Sequence, residues 1–260
     1  MRILVTFAVK AEFSPWSSRH PFVPYEFENW EKRRAFDLFK TNYGPHELAV
    51  LLTGMGRENA TEAMRSIPVG QCDLCISSGL AGALDASLKP GDVVVARTSE
   101  TLDHSLMVAS DPFLVDSAVT CGARPVDTLL TSNKILATAD EKQEVSALGA
   151  IIDMETSHIL ATAVQHRVPA VAVRAVSDSA EEDLPVDFSR VLDSRGRLRF
   201  TGIVTDLVLH PYRIAPLLKF AGQSRAASVK LADFLDRYIS ELSRNPNQIA
   251  AWKEEEVSAT

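Results

Sequence analysis

An α/β fold is predicted by three observations. Short apolar runs alternate along the chain with stretches of helical composition, and glycines punctuate the junctions between them. A β-α-β unit can also be read over residues 151–178. Ile151 and Ile152 end one strand, residues 157–166 are rich in alanine and leucine as a helix would be, and residues 168–176 form a second, largely buried strand. Pro169 is tolerated only near the start of that strand, because it has no N–H to give to a ladder.

The remaining elements follow in order. Residues 2–9 are an apolar strand ending in Lys10-Ala11-Glu12, and residues 48–53 are another, ending in Gly54-Met55-Gly56. Residues 58–66 have helical composition, so those two glycines mark a strand-to-helix junction where backbone can approach a ligand. Residues 72–77 and 92–97 are further strands, connected through Gly79-Leu80-Ala81-Gly82 and Lys89-Pro90-Gly91. Residues 189–199 are polar and read as a loop, whereas residues 204–220 are apolar and basic, interrupted by Pro211 and Pro216. From residue 226, Ala227, Leu231, Phe234, Leu235, Tyr238, Ile239 and Leu242 recur at helical spacing. That stripe fits a helix packed on the sheet, or a surface for a partner or membrane interface through residues 204–220, where Arg213, Lys219 and Arg225 lie near Leu217, Leu218 and Phe220. No linker divides the chain. One domain over residues 1–244 is expected, with a divergent extension at 185–225 and a polar, frayed tail at 245–260.

Composition narrows the function. A formal charge of -7 argues against nonspecific nucleic-acid binding, which needs a basic surface to displace phosphate counterions. Three cysteines are too few for a disulfide framework, and no run approaches the roughly 18 apolar residues of a membrane span. A cytoplasmic location is expected. Cys72-Asp73-Leu74-Cys75 has redox or zinc spacing, yet it lies in an apolar strand without a second ligand pair, and the six histidines form no metal-ligand pattern. No metal is expected.

The polar residues at the strand tips are the candidates for chemistry: Glu155 after one strand, and Arg174, Ser177 and Asp178 at the end of the next. With Met154, they resemble the signature of the superfamily of purine nucleoside phosphorylases and methylthioadenosine/S-adenosylhomocysteine nucleosidases. Residues 3–12, 51–56 and 77–95 fall in that family's order, so the resemblance covers roughly residues 1–185. It implies a nucleoside phosphorylase-like three-layer α/β/α fold with a mixed twisted sheet. It also implies a small-molecule purine nucleoside as substrate, no cofactor and a homodimer.

The same resemblance assigns roles. Met154 and Glu155 would hold the ribose, and Asp178 would protonate the leaving base. An aspartate in water titrates near about 3.9, so that acid needs a desolvating site, and the apolar strand before it supplies one. Capping a following helix is the other reading of Asp178. Glu12 stands where the nucleosidases place the base that activates water, and a Gly-Asp-Pro run typical of the phosphorylases is absent from residues 8–12. A carboxylate there repels phosphate. A solvated surface glutamate is the alternative. Arg174, Gly79 and Gly82 would orient the nucleophile or bind phosphate, with Ser177 and Ser78 in support. Two positions depart from the pattern: Leu80 replaces a hydroxyl residue of the Gly-rich turn, and Leu136 stands where an aromatic would contact the purine.

The activity implied is hydrolysis of a 5′-substituted adenosine to free base and sugar. The alternatives are a phosphorylase using Arg57, Arg174 and the 79–82 amides, a hopanoid-biosynthesis type of enzyme acting on an adenosyl lipid, and a nucleoside-binding protein without catalysis.

Overall fold

A computed structural model describes residues 1–25, 36–185 and 214–244. Eleven strands among them form one mixed sheet: β1 (Arg2–Phe7), β2 (Val23–Pro24), β3 (Asp37–Tyr43), β4 (His46–Leu52), β5 (Leu74–Ser77), β6 (Leu80–Ala83), β7 (Val93–Thr101), β8 (Met107–Ala109), β9 (Arg124–Thr131), β10 (Ile151–Asp153) and β11 (Ala170–Asp178). The order is β2-β3-β4-β1-β5-β11-β6-β10-β9-β7-β8, and β7 also pairs with β11. That extra pairing closes β11, β6, β10, β9 and β7 into a ring. The helices are α1 (Lys10–Ser17), α2 (Arg57–Arg65), α3 (Pro112–Thr120), α4 (Ala139–Val145), α5 (Thr156–Gln165) and α6 (Ile214–Leu242).

β1, β5 and β11 run parallel, so their C-terminal ends open on one edge. Each is apolar because both of its faces are covered. Every residue of β11 is buried, and β1 is buried from Ile3 onward. One layer of core lies between β1, β5 and α6, where Ala227, Leu231, Phe234, Leu235, Tyr238, Ile239 and Leu242 are all buried. The opposite layer packs α2 and α5 on the sheet through Ala60, Met64, Ile159 and Leu160. Polar pins complete the α6 contact: Tyr238 donates to the Leu114 carbonyl at 2.7 Å, and Trp16 Nε1 donates to Asp236 Oδ1 at 2.7 Å.

Four readings change. α6 begins at Ile214, not near residue 226, because Pro216 falls in its first turn, where no intrahelical N–H is needed. Residues 80–83, read as a turn, are a strand. β7 continues to Thr101 rather than stopping at Arg97, and β9 was not anticipated. Residues 186–213 and 245–260, which include the polar loop, most of the apolar-basic stretch and the tail, lie outside the described residues.

Candidate functional site

A cavity of about 910 Å³ opens at the sheet edge where β1, β5 and β11 end. Its polar lining includes Glu12, Lys142, Asp153, Glu155, Ser177 and Asp178, with Arg19, Lys134 and Arg225 also at its wall. Its apolar lining includes Leu80, Leu136, Ile152 and Met154, with Leu217, Phe220 and Val229 contributed by α6. Among the described lining residues, Phe220 is the aromatic.

Glu12 is the third residue of α1, and its carboxylate folds back over the helix start. Oε2 accepts from the Ala8 N–H at 3.0 Å and the Val9 N–H at 3.3 Å, while Oε1 accepts from the Leu80 N–H at 3.0 Å. The side chain is therefore a buried, backbone-clamped carboxylate rather than a solvated one. Burial pushes its pKa up, against the lowering effect of those amides and of Arg174. Leu80, which lacks the hydroxyl found in the family pattern, acts here through its N–H.

Asp178 ends β11, and a register shift between Val176 and Asp178 interrupts the ladder opposite β6. Adjacent side chains of a regular strand point to opposite faces. The irregularity lets both Ser177 and Asp178 line the cavity. The Ser177 hydroxyl lies 2.5 Å from Asp178 Oδ1 and 3.1 Å from the Ala81 carbonyl. Oδ2 accepts from Lys142 Nζ at 2.6 Å. Residues 179–185 form turn and loop rather than helix, so Asp178 does not cap a helix there. Gly82 pairs with Asp178 across the ladder, and a Cβ there would stand 3.1 Å from Oδ2.

Glu155 sits just before α5, and its Oε1 accepts from the Gly56 N–H at 2.6 Å. The Gly56 φ of 87° supplies the turn that aims this amide. Burial, then the charges of Asp153 and Glu12, push the Glu155 carboxyl up to about 8, opposed by Gly56 and Arg174.

Arg174 is buried on β11 and does not line the cavity. Its guanidinium donates to Asp153 Oδ2 from Nε at 3.2 Å and from Nη2 at 2.8 Å, and to the Ser77 carbonyl at 2.6 Å. Nη2 also reaches Ser77 Oγ at 2.9 Å and Thr156 Oγ1 at 2.5 Å. These acceptors leave Arg174 to act on the cavity through charge rather than contact. Asp153 is the hub beneath the site, taking further bonds from Thr156 and from Thr131 Oγ1 at 3.0 Å. Ser78 is buried with no partner for its hydroxyl among the described residues, and it is not part of the lining.

Two site residues were missed by sequence reading. Lys142 is a lone lysine in a polar helix, and nothing local distinguishes it from a surface cation. Asp153 was visible as a carboxylate at a strand end but carried no assigned role. Elsewhere, Asp103 bonds to Ser105 and His104 to Glu100, away from the cavity. Cys72 and Cys75 are not joined in a disulfide, and no cluster able to hold a metal occurs among the described residues.

A family model described as the phosphorylase superfamily matches residues 2–208. A 5′-methylthioadenosine/S-adenosylhomocysteine nucleosidase of Staphylococcus aureus is 24% identical over 171 residues, spanning 56% of this chain and 75% of that protein. The same nucleosidase from Helicobacter pylori, solved with butyl-thio-DADMe-Immucillin-A, superposes with a TM-score of 0.69 at 16% identity, covering 93% of this chain and 99% of the other. Helicobacter pylori futalosine hydrolase superposes with a TM-score of 0.67 at 15% identity, covering 93% and 100%. These likenesses show the fold.

Proposed function

The chain belongs to the phosphorylase superfamily, and from that premise we propose that it hydrolyses the N-glycosidic bond of a purine nucleoside carrying a 5′ substituent, releasing the free base. The observation that carries this reading is the position of Glu12. Its carboxylate occupies the N–H groups of Ala8, Val9 and Leu80, the donors with which a phosphate would otherwise be bound. Of the two arginines considered for phosphate, Arg174 is taken up by Asp153, Ser77 and Thr156, and Arg57 does not line the cavity. A phosphate dianion entering there meets the Glu12 carboxylate at those amides, whereas a water molecule meets a base.

The chemistry needs a proton for the departing base, support for a sugar that becomes cationic, and a nucleophile. Asp178, lining the same cavity, delivers the proton to the base. Glu155 accepts hydrogen bonds from the ribose hydroxyls, and ionisation of this raised-pKa carboxyl favours positive charge on the sugar. Met154 lies against the sugar as an apolar contact. Glu12 takes the proton of the attacking water. Gly79 and Gly82 keep space beside the two carboxylates, and Ser177 orients Asp178. The α6 residues Leu217, Phe220 and Val229 give the cavity apolar surface beyond what a bare nucleoside requires, which supports a 5′-substituted substrate. Methylthioadenosine and S-adenosylhomocysteine, the substrates named for the nucleosidase relatives, are the first candidates.

The test is incubation of the protein with methylthioadenosine, S-adenosylhomocysteine, adenosine and inosine, with and without phosphate, beside an Asp178→Asn control. Phosphate-independent base release that the control lacks supports hydrolysis. Release only with phosphate refutes it.

A further inference from the structure

Lys142 is the deepest lysine of the site, 1% exposed, and none of the roles above uses it. Its ammonium has three hydrogens and three acceptors: Asp178 Oδ2 at 2.6 Å, the Ser179 carbonyl at 2.8 Å and the Glu182 carbonyl at 2.8 Å. A buried cation so fully coordinated is fixed in place, and burying it is costly without a purpose or a partner. The partner is the residue assigned as the acid. Asp178 has its second oxygen beside Ser177, so both oxygens are held.

We propose that Lys142 is the positioning residue of leaving-group protonation, supplying to Asp178 the proton that Asp178 hands to the base. The inference rests on the hydrolase reading. In the resting protein the pair is an ammonium and a carboxylate. As the glycosidic C–N bond breaks, its electron pair goes to the base, and the base takes a proton from Asp178. The Nζ–H bond of Lys142 breaks as the O–H bond on Asp178 forms, so the aspartate ends as the carboxylate it began as and the lysine is left as a neutral amine. The proton that Glu12 takes from the attacking water returns to Lys142 through solvent after the products leave. The sequence of transfers begins and ends with the same protonation states.

The assignment predicts a dependence on the leaving group that a purely structural lysine would not show. A purine needs protonation to depart, whereas 4-nitrophenolate leaves a riboside unaided. Lys142→Met should lower kcat on the purine nucleoside by about 10²-fold or more, within the range of general acid catalysis. It should leave release of nitrophenol from 4-nitrophenyl riboside within a few-fold of the unaltered protein. Lys142→Arg, which keeps a cation, should recover part of the purine activity. The pair of variants Asp178→Asn and Lys142→Met/Asp178→Asn reads the same question without the artificial substrate. If Lys142 acts through Asp178, the double variant is no slower on the purine than Asp178→Asn alone. Equal losses on both substrates, or losses that multiply in the double variant, would overturn the assignment. An unaltered protein that releases no base from any purine nucleoside refutes the hydrolase reading itself, and Lys142 with it.

Discussion

A Cβ on Gly79 would lie 3.2 Å from each carboxylate oxygen of Glu12, so the glycine and the glutamate occupy one packed space. The Gly79 φ of 141° adds a backbone conformation that side-chain-bearing residues seldom adopt. Gly79→Ala therefore displaces the Glu12 carboxylate and strains the turn. Base release should fall by about 10²-fold, the effect expected of a roughly 1 Å misplacement of a catalytic group. Steady-state kinetics of the purified variant checks this, and activity within about twofold of the parent would contradict it.

Glu12→Gln and Asp178→Asn separate the two halves of the reaction. Each should lower kcat by about 10²- to 10⁴-fold. Glu12→Gln removes the base for water and should still bind substrate, since the ribose and purine contacts are elsewhere in the cavity. Single-turnover base release, together with equilibrium binding of the substrate, distinguishes loss of chemistry from loss of binding.

Stability should decline as pH rises, and Glu155 is the main reason. Its carboxyl is pushed up to about 8 in the folded protein, against about 4.3 for a free glutamate side chain. Between those values the native state binds more protons than the unfolded state, so unfolding becomes easier as pH increases. The favourable contribution is complete below the unfolded value and lost as pH rises through the folded one. Glu12 shifts in the same direction. Glu155→Gln should therefore flatten the pH dependence and raise Tm at pH 9 by at least about 2 °C relative to the parent, the equivalent of roughly 1 kcal/mol. Thermal unfolding at a series of pH values decides it.

Arg174→Met leaves Asp153 buried without its cation. Breaking a buried pair from one side costs about 3–5 kcal/mol, a fall in Tm of at least roughly 6 °C for a protein of this size. Arg174→Met/Asp153→Asn removes the stranded charge and should recover part of the loss. A single variant as stable as the parent would show that the pair is not an element of the fold.

Much of the site was legible because it follows strand ends. Apolar runs that stop at a carboxylate announced Glu155 and Asp178, and the cluster Glu12, Met154, Arg174 and Ser177 fell within the same pattern. Roles were harder to read than positions. Arg174 looked like a ligand-binding cation, but its acceptors come from Ser77, Asp153 and Thr156, which the pairing of β5 with β11 and the junction of β10 with α5 bring around it. Lys142 was invisible for the same reason, since its partner lies 36 positions away in the chain. Phe220 was read within an apolar-basic stretch for which a partner or membrane surface was one alternative, and it lines the cavity. Among the described residues no helix is long and apolar enough to cross a membrane. The strand at residues 80–83 was read as a turn because it is short and holds a glycine, a composition that favours loops until neighbours β11 and β10 supply its ladders.

The most direct test of the central claim is the origin of the oxygen that replaces the base. The protein is turned over with a purine nucleoside in ¹⁸O-labelled water containing phosphate, and the sugar product is examined by mass spectrometry before its label exchanges. Activation of water by Glu12 predicts one labelled oxygen at the anomeric carbon and no sugar phosphate. A sugar 1-phosphate carrying no solvent label would contradict the account and assign the chain to phosphorolysis.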